Sequence, residues 1–128
     1  MKLDMNCVRD IMLTIESQSS YLHMPPDDFC KLLPQYDRKE ILYCCEKLYE
    51  GGYLHIEYID LPNSSQSYMR AICDLTFSGH EFLSDIKPPS NWEKLSSFLN
   101  QGGSASLKVI SNVAISIATE ALRVIIGL

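Results

Sequence analysis

In the N-terminal half of the chain, apolar side chains recur at helical spacing and polar breaks separate the runs. Val8, Ile11, Met12 and Ile15 fall three and four residues apart, with Arg9, Asp10 and Glu16 off that face. This spacing predicts a helix over 4–17, capped by Asp4. Gln18-Ser19-Ser20 is a polar break, and Tyr21-Leu22-His23-Met24 then leads to Pro25-Pro26. No helix continues through that pair, because proline lacks an N–H and restricts the residue before it. A short second helix is expected from Asp27 to Leu33, closed by Pro34. The run Asp37–Glu50 is the clearest helix. Ile41, Cys45 and Leu48 share a face with Leu42 and Tyr49 beside it, Asp37 and Glu40 outline a capping box, and Gly51-Gly52 ends the helix.

The period then changes. From Tyr53 to Leu61, Leu54, Ile56 and Tyr58 alternate with His55, Glu57 and Ile59, which predicts a strand. Residues 62–67 are loop-forming, and Tyr68–Leu75 returns as the second strand of a hairpin with a long, polar, uncharged tip. Thr76 is placed to cap a helix over Phe77–Ile86 that buries Phe82, Leu83 and Ile86. Pro88-Pro89 breaks the chain again. Ser90-Asn91-Trp92-Glu93 then reads as a capping box opening a helix that carries Trp92, Leu95, Phe98 and Leu99 and ends at Gly102-Gly103. The last run, Ser106–Ile126, has only Lys108, Glu120 and Arg123 as charges and predicts a helix apolar on most of its circumference.

Helix, short element, helix, hairpin, then three helices is the order of a winged helix with additions. The expected class is α+β and mostly helical: a winged helix-turn-helix domain with a two-stranded wing over 1–87. A helical extension over 88–128 packs on the same domain, with 106–126 as an oligomerisation helix.

Composition narrows the function classes. The chain has 128 residues, 46% of them apolar, which suits one globular domain and not a disordered segment. Its five cysteines, Cys7, Cys30, Cys44, Cys45 and Cys73, are odd in number and lack metal-type spacing. No basic-then-apolar leader is seen, so free thiols in a reducing, cytoplasmic setting are expected. A net charge of −5 argues against a protein devoted to phosphate backbones, whose affinity comes from concentrated Lys and Arg.

Several stretches resemble one family. Met1-Lys2-Leu3-Asp4 through Glu16 looks like the opening of the domain-of-unknown-function 2513 family of bacteria and their phages, and Tyr43–Leu54 resembles its helix-to-glycine-to-strand passage. Leu75-Thr76-Phe77-Ser78-Gly79-His80-Glu81-Phe82-Leu83 resembles its most distinctive motif, and Trp92-Glu93-Lys94 its tryptophan-led helix. The likeness runs from Met1 to the region of Leu95, with a looser match in the apolar tail. Phe77 stands where the family often has Trp, and Tyr43 where it often has His. The resemblance implies a winged-helix fold and a bacterial or prophage setting, and it carries no catalytic residues.

Chemistry finds no foothold in the residues. His23, His55 and His80 sit on three separate elements with no HxxxH spacing. Cys44-Cys45 are about 100° apart on a helix, so they form neither a Cys-x-x-Cys motif nor half a zinc site; Cys45 is expected in the core and Cys44 at its side. A cysteine nucleophile would need a base and an orienting group, which the pattern does not supply. The glycine pairs lie outside any phosphate-binding motif, and Thr76, Gly79 and His80 read as the joint between hairpin and helix. No catalytic residue, cofactor, metal or small-molecule substrate is assigned.

Binding remains. A nucleic-acid reading uses helix 37–50 and the wing 62–70, with Lys39, Tyr43 and Lys47 as a stripe, Arg38 beside it and Arg70 on the wing. The same helix carries Asp37, Glu40, Glu46 and Glu50 against three cations, so DNA is not the favoured partner. Favoured instead is a homo-dimer or a protein partner held through Val109, Val113, Ile117, Ala121, Val124 and Ile125. No membrane span is expected. The uncharged run Val109–Thr119 is eleven residues long, and spanning needs about twenty.

Overall fold

In a computed structural model, which describes residues 1–102 and 106–127, the chain forms two compact units, Met1–Gly79 and His80–Leu128. The first begins with α1 (Met5–Glu16), whose Asp4 side chain accepts hydrogen bonds from the Asn6 and Cys7 amides at 2.9 and 3.4 Å. Val8, Ile11, Met12 and Ile15 are buried, as their spacing predicts, and Met5 and Cys7 join them.

A strand that the pattern did not announce follows. In β1, His23 and Met24 lie antiparallel to β3 (Ser67–Leu75), with His23 opposite Cys73 and Met24 opposite Ile72. Two residues are too few to show a period, and Pro25 stops the strand at once because it has no N–H to donate. The two-stranded wing therefore becomes a three-stranded antiparallel sheet, ordered β1-β3-β2, with β2 at Leu54–Asp60. β3 lies between its neighbours and has consecutive buried residues, Ala71, Ile72 and Cys73, as a strand covered on both faces should. It is also two residues longer than β2, and two register shifts in the hairpin absorb the difference. The connecting tip is exposed throughout, and Asn63 takes the left-handed conformation at φ 64°.

Helix α2 (Pro26–Cys30) is shorter than expected. Phe29 and Leu33 are both buried, the latter on the turns that follow the helix. Helix α3 (Arg38–Glu50) packs on α1, α2 and β2 with Ile41, Cys44, Cys45 and Leu48 inward. Two expectations are corrected here. Asp37 stands at the cap but makes no side-chain bond to the helix, so no capping box forms. Cys44 is fully buried rather than lateral, because its position faces α1, and its thiol donates to the Asp4 carbonyl at 3.9 Å.

The joint after the sheet is built from four residues. The Thr76 hydroxyl donates to the Gly52 carbonyl at 2.5 Å and accepts from the Gly79 amide at 3.0 Å, while the Thr76 amide donates to the Tyr53 carbonyl at 3.1 Å. Gly52 adopts φ +83°, which lets the chain leave α3 and enter β2. Thr76 thus caps α4 (Phe77–Ile86), as expected, and also ties that helix to the end of α3.

In the second unit, Phe82, Leu83, Ile86 and Leu95 are buried. Helix α5 (Pro89–Gly102) starts a residue earlier than Ser90, with Pro89 in its first turn and the Trp92 amide bonded to the Pro88 carbonyl. Ser90 therefore lies inside the helix, and its box with Glu93 is not the cap. Proline's fixed φ and missing N–H suit a first helical position, so the chain starts the helix there. Asn91, a buried polar residue, donates to the Asp85 carbonyl at 3.0 Å. The expected end at Gly102-Gly103 is met as far as Gly102; Gly103 lies outside the described residues. Helix α6 (Leu107–Ile126) is capped by Ser106, which accepts from the Val109 amide at 3.2 Å, and ends at Gly127 with φ +77°.

All five cysteines are free thiols. Hydrogen bonding with Cys44 and burial push the Cys7 thiol up, and burial does the same for Cys45, Cys73 and Cys30. Cys30 alone is part-exposed. Because alkylation needs access to the sulfur, iodoacetamide at neutral pH is expected to label Cys30 alone in the folded protein and all five after unfolding. Intact-mass spectrometry reads the count, and native labelling of Cys7, Cys44 or Cys45 would show that the α1–α3 seam opens.

Candidate functional site

Three of the four nominated cations, Arg38, Lys47 and Arg70, are engaged with carboxylates. Arg38 Nε lies 2.7 Å from Asp27 Oδ1, joining α3 to α2, and this contact holds its guanidinium above the ordinary arginine range. Lys47 Nζ lies 2.9 Å from Glu50 Oε2 and 5.5 Å from the centre of the Tyr43 ring. Its pKa is raised by the bond to Glu50. Lys39 is exposed one residue further into the helix than Arg38. Tyr43 and Lys47 sit beside Glu46 and Glu50 on the side of α3 opposite Ile41, Cys44 and Leu48, so this face mixes signs.

Arg70 is held on the sheet rather than against α3. Its guanidinium is 3.5 Å from Glu57 Oε1, while His23 Nε2 lies 2.5 Å from Glu57 Oε2. One carboxylate thus bridges all three strands, and the bond to His23, helped by Arg70, pulls the Glu57 carboxyl below the usual range. The sequence reading missed this cluster because His23 had no recognised strand to stand on. The three histidines do fall on separate elements, β1, β2 and α4.

Beside this polar surface, the hairpin tip offers Asn63, Ser64, Ser65, Gln66 and Ser67, all exposed and partly satisfied among themselves. Ser67 Oγ donates to Asp60 at 2.5 Å, and the Gln66 amide donates to Ser64 Oγ at 3.2 Å. Tyr49 and Tyr58 pack edge to face, with centroids 5.1 Å apart, and burial pushes the Tyr58 hydroxyl up to about 12.

The oligomer candidates divide along α6. Ile110 and Ala114, which were not nominated, are buried, and α5 is the helix that packs on α6. Val113, Ile117 and Ala121 are half-buried along adjoining rows, while Val124 and Ile125 are 72% and 80% exposed. At about 100° per residue, Lys108, Asn112, Ser116, Thr119, Glu120 and Arg123 collect on one side, and Val109 falls among them. The remaining arc of about 200° is apolar apart from Ser111. Ser116 and Thr119 return their hydroxyls to the Asn112 and Ile115 carbonyls at 3.3 and 2.8 Å, and Arg123 lies 3.5 Å from Glu120.

By length and composition alone, α6 is long and apolar enough to cross a membrane: 20 residues with a mean hydropathy of 1.7, and 11% of its most apolar window buried. Seven of the fourteen exposed large hydrophobic residues among those described lie on α5 and α6, Phe98 being the one on α5. That concentration makes these two helices, rather than α3, the richest in exposed apolar side chains among the described residues.

A family model described as a hypothetical protein family, DUF2513, matches residues 2–105. Neither a curated protein nor a solved structure matches the chain.

Proposed function

The chain belongs to the DUF2513 family, and from that premise we propose a non-enzymatic binding protein that works through protein–protein contact, foremost self-association through α6. The observation that carries this reading is the C-terminal part of α6, where Val124 and Ile125 stand in solvent on a helix that buries only Ile110 and Ala114. Burying such side chains contributes about 25 cal/mol per Å² of apolar surface, and a second subunit is the commonest cover. The order helix, strand, helix, helix, hairpin supports a winged-helix core, with β1 as the third strand that completes its sheet. Five free thiols suit a reducing cytoplasm.

A DNA-binding role is the weaker reading. Arg38, Lys47 and Arg70 would each have to leave a carboxylate before meeting phosphate, and Glu46 and Glu50 share the face with Lys39 and Tyr43. A bilayer is weaker still as the cover for α6. The polar side holds two cations and one anion, too few for attraction to anionic lipid, and Glu120 and Arg123 are costly deep in hydrocarbon.

Light scattering on the full chain at micromolar concentration tests the reading. The expected mass is twice 14.5 kDa, and a mass of 14.5 kDa at every concentration would overturn it.

A further inference from the structure

We propose that the C-terminal end of α3 and the edge strand β2 form a docking surface for an arginine side chain carried by a partner protein, with its guanidinium laid on Tyr49 and paired with Glu46. The inference uses neither α6 nor self-association, so the two readings stand or fall separately.

The first observation is an aromatic pair left open. Tyr49 on α3 and Tyr58 on β2, which lies at the edge of the sheet, meet edge to face with centroids 5.1 Å apart and planes at 62°. In such a pair one ring points its edge at the other, so most of the ring faces stay free of the partner ring. Tyr49 is 42% exposed. An open ring face carries negative charge density and attracts a cation, a guanidinium above all because it is planar and weakly hydrated.

The second observation is where the carboxylates stand. Glu46, Tyr49 and Glu50 are three and four residues apart, which makes them neighbours on the helix surface. Both glutamates are exposed, and they come at the C-terminal end of α3, where the helix dipole is negative and favours cations over anions. Their field reaches the strand as well, since both charges help to push the Tyr58 hydroxyl up. Lys47 offsets Glu50 at 2.9 Å and does not pair with Glu46. Places where a chain breaks a local rule without an internal remedy are where function is expected.

The third observation is a smaller version of the same contact within the chain. Lys47 Nζ sits 5.5 Å from the centre of the Tyr43 ring and 2.9 Å from Glu50, a cation held between a ring and a carboxylate. Tyr49 and Glu46 repeat the ring and the carboxylate, with no cation on them among the described residues. A helix surface is convex whereas small-molecule sites are concave, so the fitting cation comes on a polypeptide. The net charge of −5 favours the approach of a basic segment.

The test titrates the full chain against a fluorescein-labelled peptide of alternating arginine and glycine, followed by fluorescence anisotropy at low salt. Lysine and glutamate peptides of the same length run beside it. The arginine peptide is expected to bind more tightly than the lysine peptide, and the glutamate peptide not at all. Glu46→Gln and Tyr49→Leu are each expected to weaken binding about threefold, the size of one exposed ion pair or cation–π contact, and together about tenfold, with circular dichroism unchanged. Tyr49→Phe keeps the ring and is expected to keep the affinity. Glu93→Gln makes the same charge change on α5 and is expected to leave affinity within about twofold of wild type. In wild type the peptide is expected to shift the amide resonances of residues 46–50 and 57–59. A wild type that does not bind the arginine peptide overturns the proposal. So does equal weakening by Glu46→Gln and Glu93→Gln, which reduces the attraction to net charge, or a Tyr49→Leu protein that binds as wild type does. None of these variants touches α6, so the mass by light scattering is expected to stay that of wild type whichever way the peptide result falls.

Discussion

Replacing Gly79 by Ala is expected to destabilise the first unit by about 3 kcal/mol or more, at the upper end of what overpacking costs. A Cβ built at Gly79 would lie 2.0 Å from the Tyr53 carbonyl oxygen, 3.0 Å from its carbon and 3.2 Å from the Leu75 Cβ. Two of these are backbone atoms that no rotamer change can move. The Tyr53 carbonyl is moreover fixed there by the Thr76 amide, so relief would require pulling the start of α4 away from the end of α3. Helix propensity makes the opposite forecast, since Ala in a helix is favoured over Gly by about 1 kcal/mol. The sign of the change therefore decides between the two effects. Urea unfolding followed by circular dichroism measures it, and a stability equal to or above wild type would show that α4 does not approach Tyr53 this closely.

The same joint shows how far the sequence could be read. Leu75-Thr76-Phe77-Ser78-Gly79 announces a strand, a cap and a helix, and the structure has all three. What the pattern does not contain is the reason for Gly79, which lies in a carbonyl of Tyr53, twenty-six positions earlier. Elements with a strong period, such as α1 and α3, were legible because burial repeats along one face. β1 was not, because its two residues owe their conformation to β3 rather than to their own pattern. The same omission hid the bridge from His23 through Glu57 to Arg70, which exists only once three strands lie side by side. Caps were half legible. Asp4 and Thr76 cap as expected and Ser106 caps without having been singled out, while Asp37 makes no bond and Ser90 is overtaken by Pro89, whose ring already satisfies the needs of a helix start. For the candidate surfaces, the nominated cations could be counted in advance but the pairing of Arg38 and Arg70 could not, because Asp27 and Glu57 come from other elements. On α6 the apolar content was visible in the sequence, and the structure adds where its cover ends.

Phe29→Ala is expected to be the most damaging single truncation in the first unit, costing about 3–5 kcal/mol. Helix α2 has five residues, little more than one turn, and an isolated helix of that length does not persist in water because nucleation alone is unfavourable. Pro26 in its first turn and the acidic Asp27 and Asp28 near its N-terminus help only by tenths of a kcal/mol to about 1. What holds α2 is tertiary: it packs on β3 and α3, and Phe29 is the one residue of the helix that is fully buried, with Leu33 inward on the turn beyond. Removing the ring leaves a cavity that a one-turn helix cannot close without losing its own seat. The Arg38–Asp27 pair offers little compensation, since both side chains are mostly exposed and solvent screens such a pair. Against a total stability of about 5–15 kcal/mol, the loss is a third or more of what a marginal domain has. Chemical unfolding gives the overall loss, and hydrogen exchange locates it, with faster exchange expected first at the amides of Phe29, Leu32 and Leu33. A loss below about 1 kcal/mol would mean that α2 is held by something other than the Phe29 ring, and that the α2–α3 corner rests on its ion pair after all.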